Sequence, residues 1–396
     1  MRARILCLTS VVLSSAAAFV ACQDNGDGSI PAIPGHYYNP DGGGGDATLG
    51  DDGGTVITPS GDAGGDACVE TTSASPDGDV AIGPTSLAFD PCGAGSPDAI
   101  YWNATNQTLY IADDHANQIW TWSDANGFQK LVTLPDDPAA DDAGATKLTG
   151  ITVSNSTLIV ARYGNGAYGA LFTYNLETAG GAATKVGSID PTRYRFAVAA
   201  DATGKIYSDS FAAALDGGAD GGADGGTGGG GNGSIEIVGL SGTTPFLSGL
   251  DKPSGLIVVG TQIFVGDRAH DVIYTVPTNL ALLDAGPDLD AADADAEAGA
   301  ILDATAPPPY PVFASLPAPD QLSAGPNGSI FAGQKTNDGG APQLRQIFPD
   351  GGITPFQPTA TFTSLGGVAY DSVSKRLFVV DSNGGSVRTI KIYPAQ

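Results

Sequence analysis

Ile100-Tyr101-Trp102-Asn103, a polar turn, then Leu109-Tyr110-Ile111-Ala112-Asp113: this pair of short apolar runs returns near the far end of the chain as Val368-Ala369-Tyr370-Asp371 and Leu377-Phe378-Val379-Val380-Asp381. Asn103 to Asp113 spans the same 10 positions as Asp371 to Asp381, and a third run begins in matching register at Ile119 and at Val387. Weaker copies lie between them: Ile151-Thr152-Val153 with Leu158–Arg162, Ala197-Val198-Ala199 with Lys205–Asp209, Leu256-Ile257-Val258 with Ile263–Asp267, and Leu322-Ser323-Ala324 with Ser329–Gln334. That makes six units. The position closing the second run (113, 162, 209, 267, 334, 381) advances by 49, 47, 58, 67 and 47 residues, and the two long gaps contain biased inserts at 212–233 and 284–309. Without them the period is about forty-odd residues, the length of a four-stranded propeller blade. The runs are β-branched and aromatic, are bounded by Gly, Pro and Asn, and include no long stretch of helical period.

The fold expected is therefore all-β, a six-bladed β-propeller; an open or sandwich β domain is the other arrangement such runs can adopt. The Leu109–Asp113 block with Asn117-Gln118-Ile119 resembles NHL-repeat propellers and, more distantly, gluconolactonase-like propellers, over residues 99–396. Arg162 and Gln334 stand where the repeat has Asp. The sixth unit stops at its third run, Ile390–Tyr393, and a blade lacking its outer strand exposes an edge. Leu87-Ala88-Phe89, just ahead of the first unit, can supply that strand and close the ring from the N-terminal side.

Residues 1–21 read as an export signal, with Arg2 and Arg4 ahead of an apolar stretch, Ile5 to Val20, too short to be an ideal spanning helix. Phe19-Val20-Ala21-Cys22 resembles the lipobox of bacterial lipoproteins, with Phe19 in place of the usual Leu. That resemblance implies a lipidated Cys22 as the first mature residue, and Gln23 after it implies the outer membrane. Residues 22–67 form a tether: positions 23–67 carry 13 Gly, 8 Asp and no Lys or Arg, too little apolar surface to offset ordering entropy. An EF-hand-like start at 23–30 lacks its first Asp and has Pro34 where the bidentate Glu belongs. The propeller then occupies 68–396. With Cys7 in the signal and Cys22 lipidated, Cys68 and Cys92 remain, an even pair in an exported chain, expected as a disulfide at the start of the folded domain.

The 396 residues carry a net charge of −26, which excludes a nucleic-acid binder, since these need a basic footprint. Of 43 acidic residues, 22 fall in 23–67, 136–142, 212–233 and 284–309, segments without Lys or Arg. The propeller body is then only about −6, and the acid excess reads as a solvating fringe on a monomer.

Loops after the second strands and loops entering the first strands open on one face of a propeller, usually its binding face. That face is expected to carry Asp113, Asp114, His115, Arg162, Tyr163, Tyr168, Asp209, Asp267, Arg268 and His270, with Lys147, Arg193, Tyr194, Arg195 and Lys252 from the entry loops. Guanidinium groups beside tyrosines suit a carboxylate, a sugar acid or an acidic peptide, so Arg162, Tyr163, Tyr168, Arg193, Tyr194, Arg195, Arg268 and His270 are the candidate ligand residues. The recurrent strand-end Asp residues have a plainer role open to them, tying loops through backbone N–H groups. Enzyme signals are thin. Gly164–Gly169 fits GxGxxG, but a strand follows it rather than a helix, so it reads as a hairpin loop. The gluconolactonase-like resemblance implies a divalent metal held by Glu, Asn and Asp at the channel mouth. Glu occurs only at positions 70, 177, 236 and 297, none at the start of a first strand, which leaves Asn103, Asp209 and Asp267 as possible oxygen ligands. The function expected is ligand or protein binding without a required cofactor; a metal-dependent lactonase-type hydrolase or another propeller enzyme is the alternative.

Overall fold

The computed structural model describes residues 85–87, 89, 95–114, 117–135, 147–163, 169–178, 180–190, 193–212, 233–279, 310–334, 341–356, 362–382 and 388–395. The chain divides into Met1–Gly65 and Asp66–Gln396, and all described residues belong to the second unit. The expected signal, Cys22, the tether, the Cys68–Cys92 bridge, the bodies of both inserts, His115 and Tyr168 lie outside them.

Six antiparallel sheets make six blades. Blade 1 is β2 (Pro97–Asn103), β3 (Thr108–Asp113), β4 (Gln118–Ser123) and β5 (Gly127–Thr133). Blade 2 is β6 (Leu148–Ser154), β7 (Thr157–Arg162), β8 (Ala170–Asn175) and β9 (Thr184–Lys185). In blade 3 the inner strand is split into β10 (Arg193–Tyr194) and β11 (Val198–Ala200), both pairing β12 (Ile206–Ala212), followed by β13 (Gly233–Gly239) and β14 (Gly242–Leu250). Blade 4 is β15 (Pro253–Val259), β16 (Gln262–Asp267), β17 (Val272–Pro277) and β18 (Val312–Ser315). Blade 5 is β19 (Pro319–Ala324), β20 (Ile330–Gln334), β21 (Gln343–Ile347) and β22 (Ile353–Pro355). Blade 6 is β23 (Leu365–Asp371), β24 (Arg376–Ser382), β25 (Arg388–Pro394) and, as its outer strand, β1 (Thr85–Leu87). Among the described residues the one helical element is a 3-10 turn, Pro326–Gly328.

Second strands lie sandwiched between neighbouring blades, so both of their faces are apolar. In β3, Leu109 and Ile111 pack towards blade 6 while Tyr110 and Ala112 pack towards blade 2. Six apolar clusters result, one at each junction between successive blades, including blade 6 with blade 1. That is the signature of a closed ring.

The closing seam is the most aromatic. β1 pairs β25, with Leu87 opposite Ile390, and Phe89 is buried against Trp120 and Phe128. Trp102 stacks on Phe378 at 5.3 Å, and Trp122 meets the same ring edge-on. Over these rings lies Arg376, 5.5 Å from Phe378 and 5.8 Å from each of Trp102 and Trp122, with both terminal nitrogens on the Asp124 carboxylate of blade 1. The expected closure by the lead-in segment is thus present.

Candidate functional site

Each inner strand enters its blade at one face of the disc, here called the top, where the second strand ends. Pairing slips by a residue or two at this end of five inner strands, between Pro97 and Ile100, Leu148 and Gly150, Pro253 and Gly255, Pro319 and Leu322, and Leu365 and Val368. Such bulges re-aim the side chains at the rim of a barrel or channel.

The strand-end Asp residues hold these entries. Asp113 accepts the Ser96 N–H at 2.9 Å, and Asp209 accepts those of Phe196 and Ala197 at 2.7 and 2.8 Å. Asp267 takes the N–H groups of Asp251 and Lys252, and Asp381 those of Thr363 and Ser364. Blades 2 and 5, where Arg162 and Gln334 replace the Asp, borrow from the preceding blade: Asp114 accepts the Leu148 N–H and Asp271 that of Ala318. Asn103 lies at the other end of its strand, opposite Thr108, with its Oδ1 on the Thr105 N–H. At about 3.3 Å rise per residue this puts it roughly 20 Å from its blade's top edge. The structure therefore does not bring Asn103 together with Asp209 and Asp267, and among the described residues no three His, Cys, Asp or Glu converge as metal ligands. A divalent cation does not fit these positions.

The segment entering blade 3 splits by strand alternation. Arg193 and Arg195 turn into the blade. Arg193 donates from Nε to Ser210 Oγ at 3.0 Å and from Nη2 to the Ser210 carbonyl and Ser234 Oγ. Arg195, fully buried, donates from Nη1 to Glu236 Oε2 at 2.8 Å, and Glu236 also accepts from Ser210. Burial pushes the Glu236 carboxyl up, but Arg195 beside it and the Ser210 and Thr243 hydroxyls outweigh that and hold it below its ordinary value. Burial lowers Arg193, and the like charge of Arg195 adds to that, against the pull of Glu236 and Asp190.

Tyr194 and Phe196 turn the other way. Tyr163 of blade 2 stacks on both, at 4.7 and 4.5 Å between ring centres, and Phe211 packs on both at 5.3 and 5.6 Å. From blade 4 the Arg268 guanidinium lies 5.2 Å over the Phe196 ring and pairs with Asp320. Tyr163, Tyr194 and Phe196 are half-buried, so the group forms an aromatic shelf on the top face. Of the other candidates, His270 stands between Asp267 (Nδ1, 3.0 Å) and Asp251 (Nε2, 3.3 Å), and Arg162 is buried over the Phe172 ring at 5.1 Å. Sequence reasoning missed Phe196, Phe211, Glu236 and Asp320; the aromatic alternation Tyr194-x-Phe196 is the signal that could have found the first of these.

No family model matches the chain, and no curated protein does. Solved structures do. A luciferin-regenerating enzyme superposes with a TM-score of 0.50 at 12% identity, covering 78% of this chain and 95% of that one. A gluconolactonase from Xanthomonas campestris gives 0.47 at 16% identity over 75% and 86% of the two chains. Regucalcin, a calcium-binding protein from Agrobacterium tumefaciens, gives 0.46 at 13% identity over 76% and 91%. At 12% identity the likeness to the luciferin-regenerating enzyme is one of fold alone, and the six sheets of this chain identify that fold as a six-bladed β-propeller.

Proposed function

We propose that this chain is an exported ligand-capture propeller, carried on a lipidated Cys22 by the 23–67 segment at the outer membrane. As a monomer it takes a small acidic molecule, or an acidic segment of a partner protein, on the top face over blades 2 to 4. The observation that supports this reading is the half-buried shelf of Tyr163, Tyr194 and Phe196 with the Arg268 guanidinium over the Phe196 ring. A flat, amphipathic ring surface beside guanidinium groups is the chemistry of a site that anchors the apolar part of a ligand and orients its carboxylate.

Calorimetric titration with galacturonate, 4-hydroxybenzoate and a glutamate-rich peptide tests the reading. Arg268→Ala and Tyr194→Ala should each weaken the best of these probes by roughly 10- to 100-fold, as expected for an anchor residue. Affinities equal to wild type in both variants reject this face. Arg195→Glu is not a usable probe, since it would set a second carboxylate against Glu236 in the blade interior. The anchor is tested separately: Cys22→Ala should move the protein from the membrane fraction to the soluble one.

A further inference from the structure

Blades 2 and 5 stand opposite each other across the axis, three blades apart in a ring of six. Gln321, at the bulge of β19 in blade 5, reaches over the axis, and its Nε2 donates to the Thr149 carbonyl in β6 of blade 2 at 2.7 Å. We infer that Gln321 is a strut sealing the top of the central channel, and that the axial mouth accepts no divalent cation there, unlike the lactonase-type propellers this sequence resembles.

Three sets of observations carry this. Glycines in three inner strands let neighbouring blades press together. A Cβ on Gly150 would lie 2.7 Å from the Phe196 carbonyl, one on Gly255 would overlap the Asp320 carbonyl, and one on Gly367 would lie 2.5 Å from the Ile100 N. These glycines belong to blades 2, 4 and 6 and let each inner strand press on the next. In the first two, a hydroxyl ahead of the glycine also crosses the seam, Thr149 to the Arg195 carbonyl and Ser254 to the Pro319 carbonyl. Next, the Gln321 Nε2 is an N–H donor committed to the Thr149 carbonyl, so it takes up one of that oxygen's two acceptor positions on the axis. Last, six acids of the top layer are committed elsewhere: Asp113, Asp209, Asp267 and Asp381 face entry-segment N–H groups, Asp320 pairs with Arg268, and Glu236 pairs with Arg195. Below the strut the channel, ≈ 200 Å³, is lined by Ile151, Val198, Leu256 and Val368 together with Thr152 and Ser323, and no charged residue is among the described residues lining it.

The inference stands apart from the ligand shelf, and either can fail alone. It is tested on the full chain by titrating Ca²⁺, Mn²⁺ and Zn²⁺ into wild type, Gln321→Ala and the isosteric but non-donating Gln321→Glu. No one-to-one binding in wild type supports it, as does binding whose affinity is the same in wild type and Gln321→Ala, since that cation sits off the axis. One-to-one binding that Gln321→Ala changes by about tenfold or more overturns it. Independently, the Gln321 side-chain amide protons, assigned by their loss in either variant, should exchange about tenfold or more slower than those of an exposed glutamine. Exchange as fast as an exposed glutamine also overturns it.

Discussion

Asp209 combines two conditions that rarely coexist in a carboxyl group. Its Oδ1 accepts two backbone N–H groups, yet the side chain is fully buried and its Oδ2 meets no protein donor. Burial is the dominant influence and pushes its pKa up to about 7, against the N–H groups of Ala197 and Phe196 and the charge of Arg195. The folded value lies above the ordinary 3.8, so the folded state holds the proton more tightly than the unfolded one. Stability from this group is full below pH 4 and is lost as pH rises to about 7. Asp209→Asn keeps an oxygen for both N–H groups and removes the titration. Urea unfolding at pH 4.5 and 7.5 should show the variant gaining on wild type at the higher pH, by an amount on the order of 3–4 kcal/mol at most. An equal difference at both pH values would refute the assignment. Asp201 and Asp371 act with the opposite sign. Despite burial, hydrogen bonds hold both below 3.8, so their contribution is present above that value and lost on acidification.

At the scale of elements, the closing seam separates two kinds of polar contact. Asp124 is largely exposed, and a surface ion pair contributes about 0–1 kcal/mol, so Asp124→Ala should be nearly silent in thermal unfolding. Arg376 covers three aromatic rings besides making that pair, and Arg376→Ala should cost about 2 kcal/mol or more. Phe89→Ala removes a fully buried ring from the same seam and should cost about 3–5 kcal/mol. The seam was legible in the sequence because strand count is arithmetic: a last unit with three runs needs a fourth from elsewhere. The repeat Asp was legible as a loop tie for the same reason, since it recurs with the fold and not with a ligand. What escaped were contacts set by the angle between blades. Nothing in local spacing links Gln321 to Thr149, 172 positions away, or aligns Tyr163 with Tyr194 and Phe196. Asn103 was grouped with the top-face acids by residue type, whereas its place at the end of a first strand assigns it to the opposite face. The glycines of blades 2, 4 and 6 do form a pattern of period two units, which a search for a single repeat averages away.

For the whole molecule, ring closure makes the blades mutually dependent while leaving room for excursions between strands. The 212–233 insert leaves and rejoins between adjacent strands, since Ser210 pairs with Ser234 directly across β12 and β13. A short turn can therefore replace residues 213–232. Loop closure entropy varies slowly with length, about 0.6 kcal/mol per doubling, so such a deletion should shift the melting temperature by only a few degrees. A collapse of the transition would mean that the segment belongs to the folded ring. Most of the acid excess lies in such segments, so the deletion should also move the isoelectric point up from about 4.1.

The chain has three tryptophans, Trp102, Trp120 and Trp122, and all three sit in the cluster joining the first blade to the last. Nature has thereby placed every indole chromophore at one joint. Intrinsic emission becomes a private optical channel for that joint: it should redshift when the ring springs open and remain unmoved by anything that settles on Tyr163 and Tyr194, in the second and third blades.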